Sequence, residues 1–107
     1  MKRSIRLLDY TEDAVYHGVT FICQGVYPYE DIVNFLVCEF PSGEPCRLIV
    51  SSGYKAGLTL VVLPEESMKE VDFGISTNWL KENWYKWIYP DCPIDKVKIL
   101  ENTPAWK

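Results

Sequence analysis

Ile32-Val33-Asn34-Phe35-Leu36-Val37-Cys38-Glu39-Phe40, then Pro41-Ser42-Gly43-Glu44-Pro45, then Cys46-Arg47-Leu48-Ile49-Val50-Ser51 is the stretch on which the fold turns. The first segment is apolar at odd and even positions alike, the pattern of a central strand covered on both faces. Pro-Ser-Gly-Glu-Pro is turn chemistry, because proline pre-sets one backbone angle and glycine accepts the other. The chain then returns as a second apolar strand, so the two strands form a hairpin at the heart of a sheet.

Working outward, Ser4 to Asp9 alternates Ile5 and Leu7 with Ser4 and Arg6 and reads as an edge strand, and Thr11-Glu12-Asp13 as a turn. Ala14 to Gln24 reads as one long strand with Val15, Val19, Phe21 and Cys23 on one side. His17, the lone histidine, shares that parity and reads as a hydrogen-bonded core residue rather than a base. Gly25-Val26-Tyr27-Pro28-Tyr29-Glu30-Asp31 is punctuated by glycine and proline and reads as a loop.

Downstream, Ser52-Gly53-Tyr54-Lys55-Ala56-Gly57 precedes the apolar run Leu58 to Leu63, which Pro64 stops. The two glycines invite comparison with a phosphate loop. Such a loop needs G-x-x-x-x-G-K-[ST] feeding a helix, whereas this one feeds a β run, so a turn with positive-φ glycines is the reading. Asn78 to Tyr89 reads as a helix capped by Ser76 or Thr77 and closed by Pro90. Leu80, Trp84, Trp87 and Ile88 share one face of its 3.6-residue period. Tryptophans interleaved with Lys81 and Lys86 could stack nucleobases, but their stripe is shared with leucine and isoleucine and reads as core. Val97 to Leu100 is a last short strand and Glu101 to Lys107 a tail. The expected fold is α+β: a five- or six-stranded, mostly antiparallel sheet with one C-terminal amphipathic helix packed on one face, all in a single domain spanning residues 1–107.

Eleven Lys and Arg against fifteen Asp and Glu give a net charge of −4. From Leu7 to Cys46 there are seven acids and no Lys or Arg, so the acidity belongs to one stretch. A second acidic segment is Glu65, Glu66, Glu70 and Asp72 around Lys69. This sign argues against nucleic-acid binding, which needs a basic stripe to displace counterions from phosphates. With 14% aromatic and 48% hydrophobic residues the chain has the means to build a core. No apolar run reaches the ~20 residues of a membrane span, and Met1 to Leu8 lacks the apolar core of a signal peptide. The expected address is cytoplasmic, without a membrane partner.

Cys23, Cys38, Cys46 and Cys92 contain no CxxC pair, so neither a zinc knuckle nor a redox motif is signalled, and reduced, structural thiols are expected ahead of a single disulfide. Without a Gly-x-Ser-x-Gly elbow or a ligand cluster, only carboxylates remain as catalysts. Adjacent pairs such as Glu12-Asp13, Glu30-Asp31 and Glu65-Glu66 point apart in a strand and splay into water in a turn. A binding protein without catalytic residue, metal or cofactor is therefore expected, with a small carboxylate-based hydrolase and a general protein-binding adaptor as the alternatives.

At Ser52-Gly53-Tyr54-Lys55-Ala56-Gly57-Leu58, at Leu63-Pro64, and at Trp79-Leu80 with Asn83-Trp84 and Lys86-Trp87-Ile88-Tyr89-Pro90, the chain resembles the immunity protein 45 family, from the Ile5 strand to Leu100. The resemblance implies a small bacterial immunity protein of a polymorphic-toxin system, contact-dependent growth inhibition among them, that neutralises one cognate toxin domain. Toxins of such systems are frequently nucleases with basic clefts, which an acidic inhibitor is electrostatically suited to cover. No family motif marks the contact residues. From charge and loop position the expected contacts are Tyr27, Tyr29, Glu30 and Asp31, with Glu12 and Asp13 as steering charges; the competing patch is Glu65, Glu66, Glu70 and Asp72.

Overall fold

A computed structural model of the chain describes residues 4–27, 29–38, 46–68 and 74–100. Its strands are β1 (Ser4–Arg6), β2 (Ala14–Val15), β3 (Thr20–Gln24), β4 (Ile32–Cys38), β5 (Arg47–Val50), β6 (Thr59–Val62), β7 (Ile75–Ser76) and β8 (Lys98–Leu100). Six of them form one antiparallel sheet in the order β1-β8-β3-β4-β5-β6, and β2 pairs with β7 in a separate two-stranded sheet. The expected α+β architecture is observed, with β1 at an edge and β4 paired to β5 as the hairpin reading requires. The Pro41–Pro45 turn of that hairpin lies outside the described residues, as does the tail from Glu101.

One face of the sheet is the core. Phe21 and Cys23 from β3, Val33, Phe35 and Val37 from β4, Leu48 and Val50 from β5, and Ile99 from β8 alternate into it, following the period of two. Beneath them lies the helix α1 (Thr77–Asn83). The Ser76 hydroxyl accepts the Trp79 N–H at 3.3 Å, so Ser76 rather than Thr77 is the cap.

Four expectations are corrected. The strand read from Ala14 to Gln24 is broken: Gly18 has φ 94°, and Val19 N–H donates to Tyr16 O at 3.2 Å across a turn. β2 can thereby leave the main sheet for β7, while Gly18 N–H and Val37 N–H bond to Val37 O and Val19 O. His17 lies exposed in this turn and not on a strand face. Likewise, the edge strand stops at Arg6, because Leu7–Asp9 coils into a 3₁₀ turn that buries Leu7 and lets Arg6 pair with Asp9 at 2.9 Å. Finally, no described element covers the second face of β4. Ile32 there is 63% exposed, and Asn34, Leu36 and Cys38 are half-buried. Cross-strand neighbours supply what shelter there is, since Leu100, Thr20, Leu36 and Ile49 stand in one row across four strands.

The helix continues past Asn83 as a π-helical segment, Trp84–Ile88, closed by Tyr89 N–H donating to Trp84 O at 3.2 Å. The wider turn changes which face meets the sheet. Leu80, Trp84 and Ile88 are buried as the period predicts, but Trp87 remains 37% exposed and leans on Trp79, ring centroids 6.1 Å apart. Trp84 meets Phe21 edge to face at 5.2 Å and anchors the helix to the centre of the sheet.

Candidate partner-binding surface

The strand order puts two loops side by side. β3 ends at Gln24 opposite Ile32, and β5 ends at Val50 opposite the start of β6, so residues 25–31 and 51–58 emerge at the same end of the sheet. Each loop is closed by its own backbone. In the first, Gly25 N–H donates to Asp31 O at 2.8 Å and Tyr29 N–H to Val26 O at 2.8 Å. In the second, Gly57 N–H donates to Val50 O at 2.7 Å, Ala56 N–H to Gly53 O at 3.2 Å and Leu58 N–H to Lys55 O at 3.2 Å. Gly53 and Gly57 have φ 69° and 97°, the positive angles expected of that turn.

The loops are tied to the fold and to each other. Val26 N–H donates to the Tyr89 hydroxyl at 3.1 Å, and Asn34 N–H to the Ser52 hydroxyl at 2.9 Å. The Glu30 carboxylate lies over the α-carbon of Gly53, where a methyl group would overlap it, and the Glu30 carbonyl fills the corresponding space at Gly25. Burial pushes the Tyr89 hydroxyl above its ordinary range, with Asp91 adding to that and the Val26 N–H opposing it, so the phenol is neutral.

Among the residues expected to make contact, Tyr27, Glu30 and Asp31 are exposed at this end, Tyr27 at 94%. Tyr29 is not on the surface with them. Its ring is half-buried, edge-on to Phe35 at 6.4 Å and to Tyr89 at 5.7 Å, so it holds the loop from below. Glu12 and Asp13 are exposed elsewhere, in the approach to β2, where Asp13 O accepts the Thr77 N–H at 3.0 Å at the start of α1. Glu65 and Glu66 are exposed in a 3₁₀ turn (Glu65–Ser67) beyond the far end of β6; Glu70 and Asp72 lie outside the described residues. The structure thus separates Glu12 and Asp13 from the Tyr27–Asp31 loop.

Sequence reasoning missed Tyr54. It follows Gly53 directly and is 86% exposed, beside the loop that carries Tyr27. The turn chemistry of Gly53 to Gly57 accounts for the backbone and not for the side chain it displays. The available signal was a large aromatic between two turn glycines, where no core can reach it.

Next to Asp31 the open face of the sheet carries a hollow of about 580 Å³ with Ile22 and Ile32 in its wall and Arg6, Lys96, Lys98 and Asp95 among its lining residues. Cys23 also borders it, but burial first, and the neighbouring Cys92 second, push that thiol well above its ordinary range, so it offers no thiolate. All four cysteines are free thiols. Among the described residues, no group of three or more His, Cys, Asp or Glu could hold a metal ion, and no helix is long and apolar enough to cross a membrane.

Comparison with curated proteins and with solved structures returns no match. The model of one family, described as immunity protein 45, matches residues 7–99, from the first 3₁₀ turn to β8. That span includes both loops and the helix beneath them, and the chain belongs to the immunity protein 45 family.

Proposed function

We propose that the chain neutralises a cognate toxin domain by covering it with the two-loop end of the sheet, and that it transforms no substrate. The observation that carries this reading is the surface itself: a solvent-exposed Tyr27 beside Glu30 and Asp31, on a loop closed by its own backbone and pinned from below by Tyr29 and Tyr89. Membership of an immunity family supports the role. A surface held in one shape before encounter loses little conformational entropy on binding, and its carboxylates speed encounter with a basic partner.

The toxin that suits this surface is a nuclease with a basic substrate cleft, delivered by contact-dependent growth inhibition or a related polymorphic-toxin system and met in the cytoplasm. Glu12 and Asp13 act as outlying steering charges that add to the approach rate. The competing patch is Glu65 and Glu66 with Glu70 and Asp72. Co-expression with the toxin domain encoded by the neighbouring gene tests the reading. A single co-purifying complex and loss of toxicity are expected; two separately eluting proteins and undiminished toxicity refute it.

A further inference from the structure

We infer that Tyr27 and Tyr54 together form a clamp for a cationic side chain, arginine or lysine, presented by the toxin domain, with Glu30 setting the spacing of the two loops. The inference rests on the proposed immunity role and names the partner's chemistry at its surface. Tyr27 and Tyr54, two of the largest side chains on the molecule, stand 94% and 86% in water, although both loops are closed by backbone hydrogen bonds. Rigid, exposed aromatics on neighbouring loops bury large area at small entropic cost when a partner arrives.

The Glu30–Gly53 contact brings their loops together. Tyr54 follows Gly53, whose α-carbon lies under the Glu30 carboxylate, and Tyr27 is in the same loop as Glu30. Glu30 is therefore a positioning residue whose carboxylate packs between the loops, while Asp31 faces outward next to it. Phenol rings attract cations through their negatively polarised faces, and their hydroxyls accept hydrogen bonds from guanidinium or ammonium groups. The surrounding charge agrees. Glu30, Asp31 and Asp91, the last acting on the Tyr89 hydroxyl that holds Val26, stand against Lys55 in the second loop. Arg6, Lys96 and Lys98 border the hollow on the far side of Asp31 and set the limit of the negative region.

The test is a binding titration of the full chain against the purified toxin domain encoded by the neighbouring gene, with Tyr27→Ala, Tyr54→Ala and Tyr54→Phe. Melting curves of the three variants should overlay the parent curve, because neither side chain packs into the core. Each alanine variant is expected to weaken binding by about 30-fold or more, the loss that marks an interface hot spot. Tyr54→Phe, which keeps the ring, should stay within about fivefold of the parent. If both alanine variants bind like the parent, the clamp is overturned and the immunity reading stands. If the parent chain forms no complex with the toxin domain, both fall together.

Discussion

The backbone N–H of Val26 donates to the hydroxyl of Tyr89 at 3.1 Å, joining the first loop to the end of the helical layer 63 residues away in sequence. Tyr89 is buried and its ring also meets Phe35 at 5.4 Å, so this hydroxyl is the fixed post on which the Tyr27 loop hangs. Replacing Tyr89 with Phe keeps the ring contacts and strands the Val26 N–H. Urea denaturation should show a loss of about 1–3 kcal/mol, the cost of leaving a partly buried donor unpaired. Amide exchange at Val26 should quicken in the same variant, and an unchanged rate would mean that the loop holds itself.

The same hydroxyl and the Cys23 thiol set an alkaline limit. Both titrate above their ordinary values in the fold, Tyr89 above 10.0 and Cys23 above 9.0, burial being the first cause for each. The unfolded chain therefore releases these protons at lower pH than the folded one. Their contribution is fully present below about pH 9 and is lost as the pH rises beyond it. Chemical denaturation midpoints measured from pH 8 to 11 should fall, and Cys23→Ala should flatten the first part of that decline. A midpoint that rises with pH would contradict the burial of both groups.

Glu30 and Gly53 give a comparison within one turn. Gly53 and Gly57 both have positive φ, so alanine at either costs about 1–2 kcal/mol of backbone strain. At Gly57 a new methyl group meets nothing within 4 Å, whereas at Gly53 it collides with the Glu30 carboxylate. Gly57→Ala should thus lower the melting temperature alone. Gly53→Ala should lower it similarly and also weaken toxin binding, because the carboxylate must swing away and the loops lose their spacing. Equal toxin affinity for the two variants would remove Glu30 from its positioning role.

These relationships mark where the sequence could be read and where it could not. The alternation of Phe21 with Cys23, of Val33 with Phe35 and Val37, and of Leu48 with Val50 announces the inner face, because strand geometry leaves no other way to bury them together. The break at Gly18 is invisible in that pattern, since Val15, Val19 and Phe21 keep parity across it and only the departure of β2 to β7 ends the strand. Leu36 reads as part of a second buried face of β4 because residue type does not distinguish shelter by neighbouring strands from shelter by another layer. At the two-loop end of the sheet, the exposure of Tyr27, Glu30 and Asp31 follows from loop position and charge. Tyr29 has the same local signature but turns inward to Phe35 and to Tyr89, the second of which lies far along the chain. The nearness of Tyr54 depends on strand order, which no local pattern carries.

Cysteine accessibility follows from the layer arrangement. Cys23, Cys46 and Cys92 are buried and Cys38 is half-buried on the open face of the sheet. With a thiol-reactive chromophore in native buffer, Cys38 should react first and the others only as fast as the protein opens, with all four reacting promptly in denaturant. Cys38→Ser should remove the fast phase. A fast phase that persists in this variant would show that one of the inward thiols reaches solvent.

Trp84 and Trp87 offer the sharpest test of the helix. A regular 3.6-residue period puts them on one stripe and predicts comparable costs for truncation. The π-helical segment places them differently: Trp84 is 1% exposed against Phe21, while Trp87 is more than a third exposed and leans on Trp79. Trp84→Ala empties a cavity at the centre of the core and should cost about 3–5 kcal/mol, a large part of the stability of a domain of this size. Trp87→Ala removes surface packing and should cost about 1 kcal/mol or less, because solvent already reaches the ring and little cavity is left behind. Denaturant titrations of the two variants, followed by circular dichroism so that the lost indole does not distort the signal, give both numbers. Equal losses would restore the regular helix and move Trp87 back into the core.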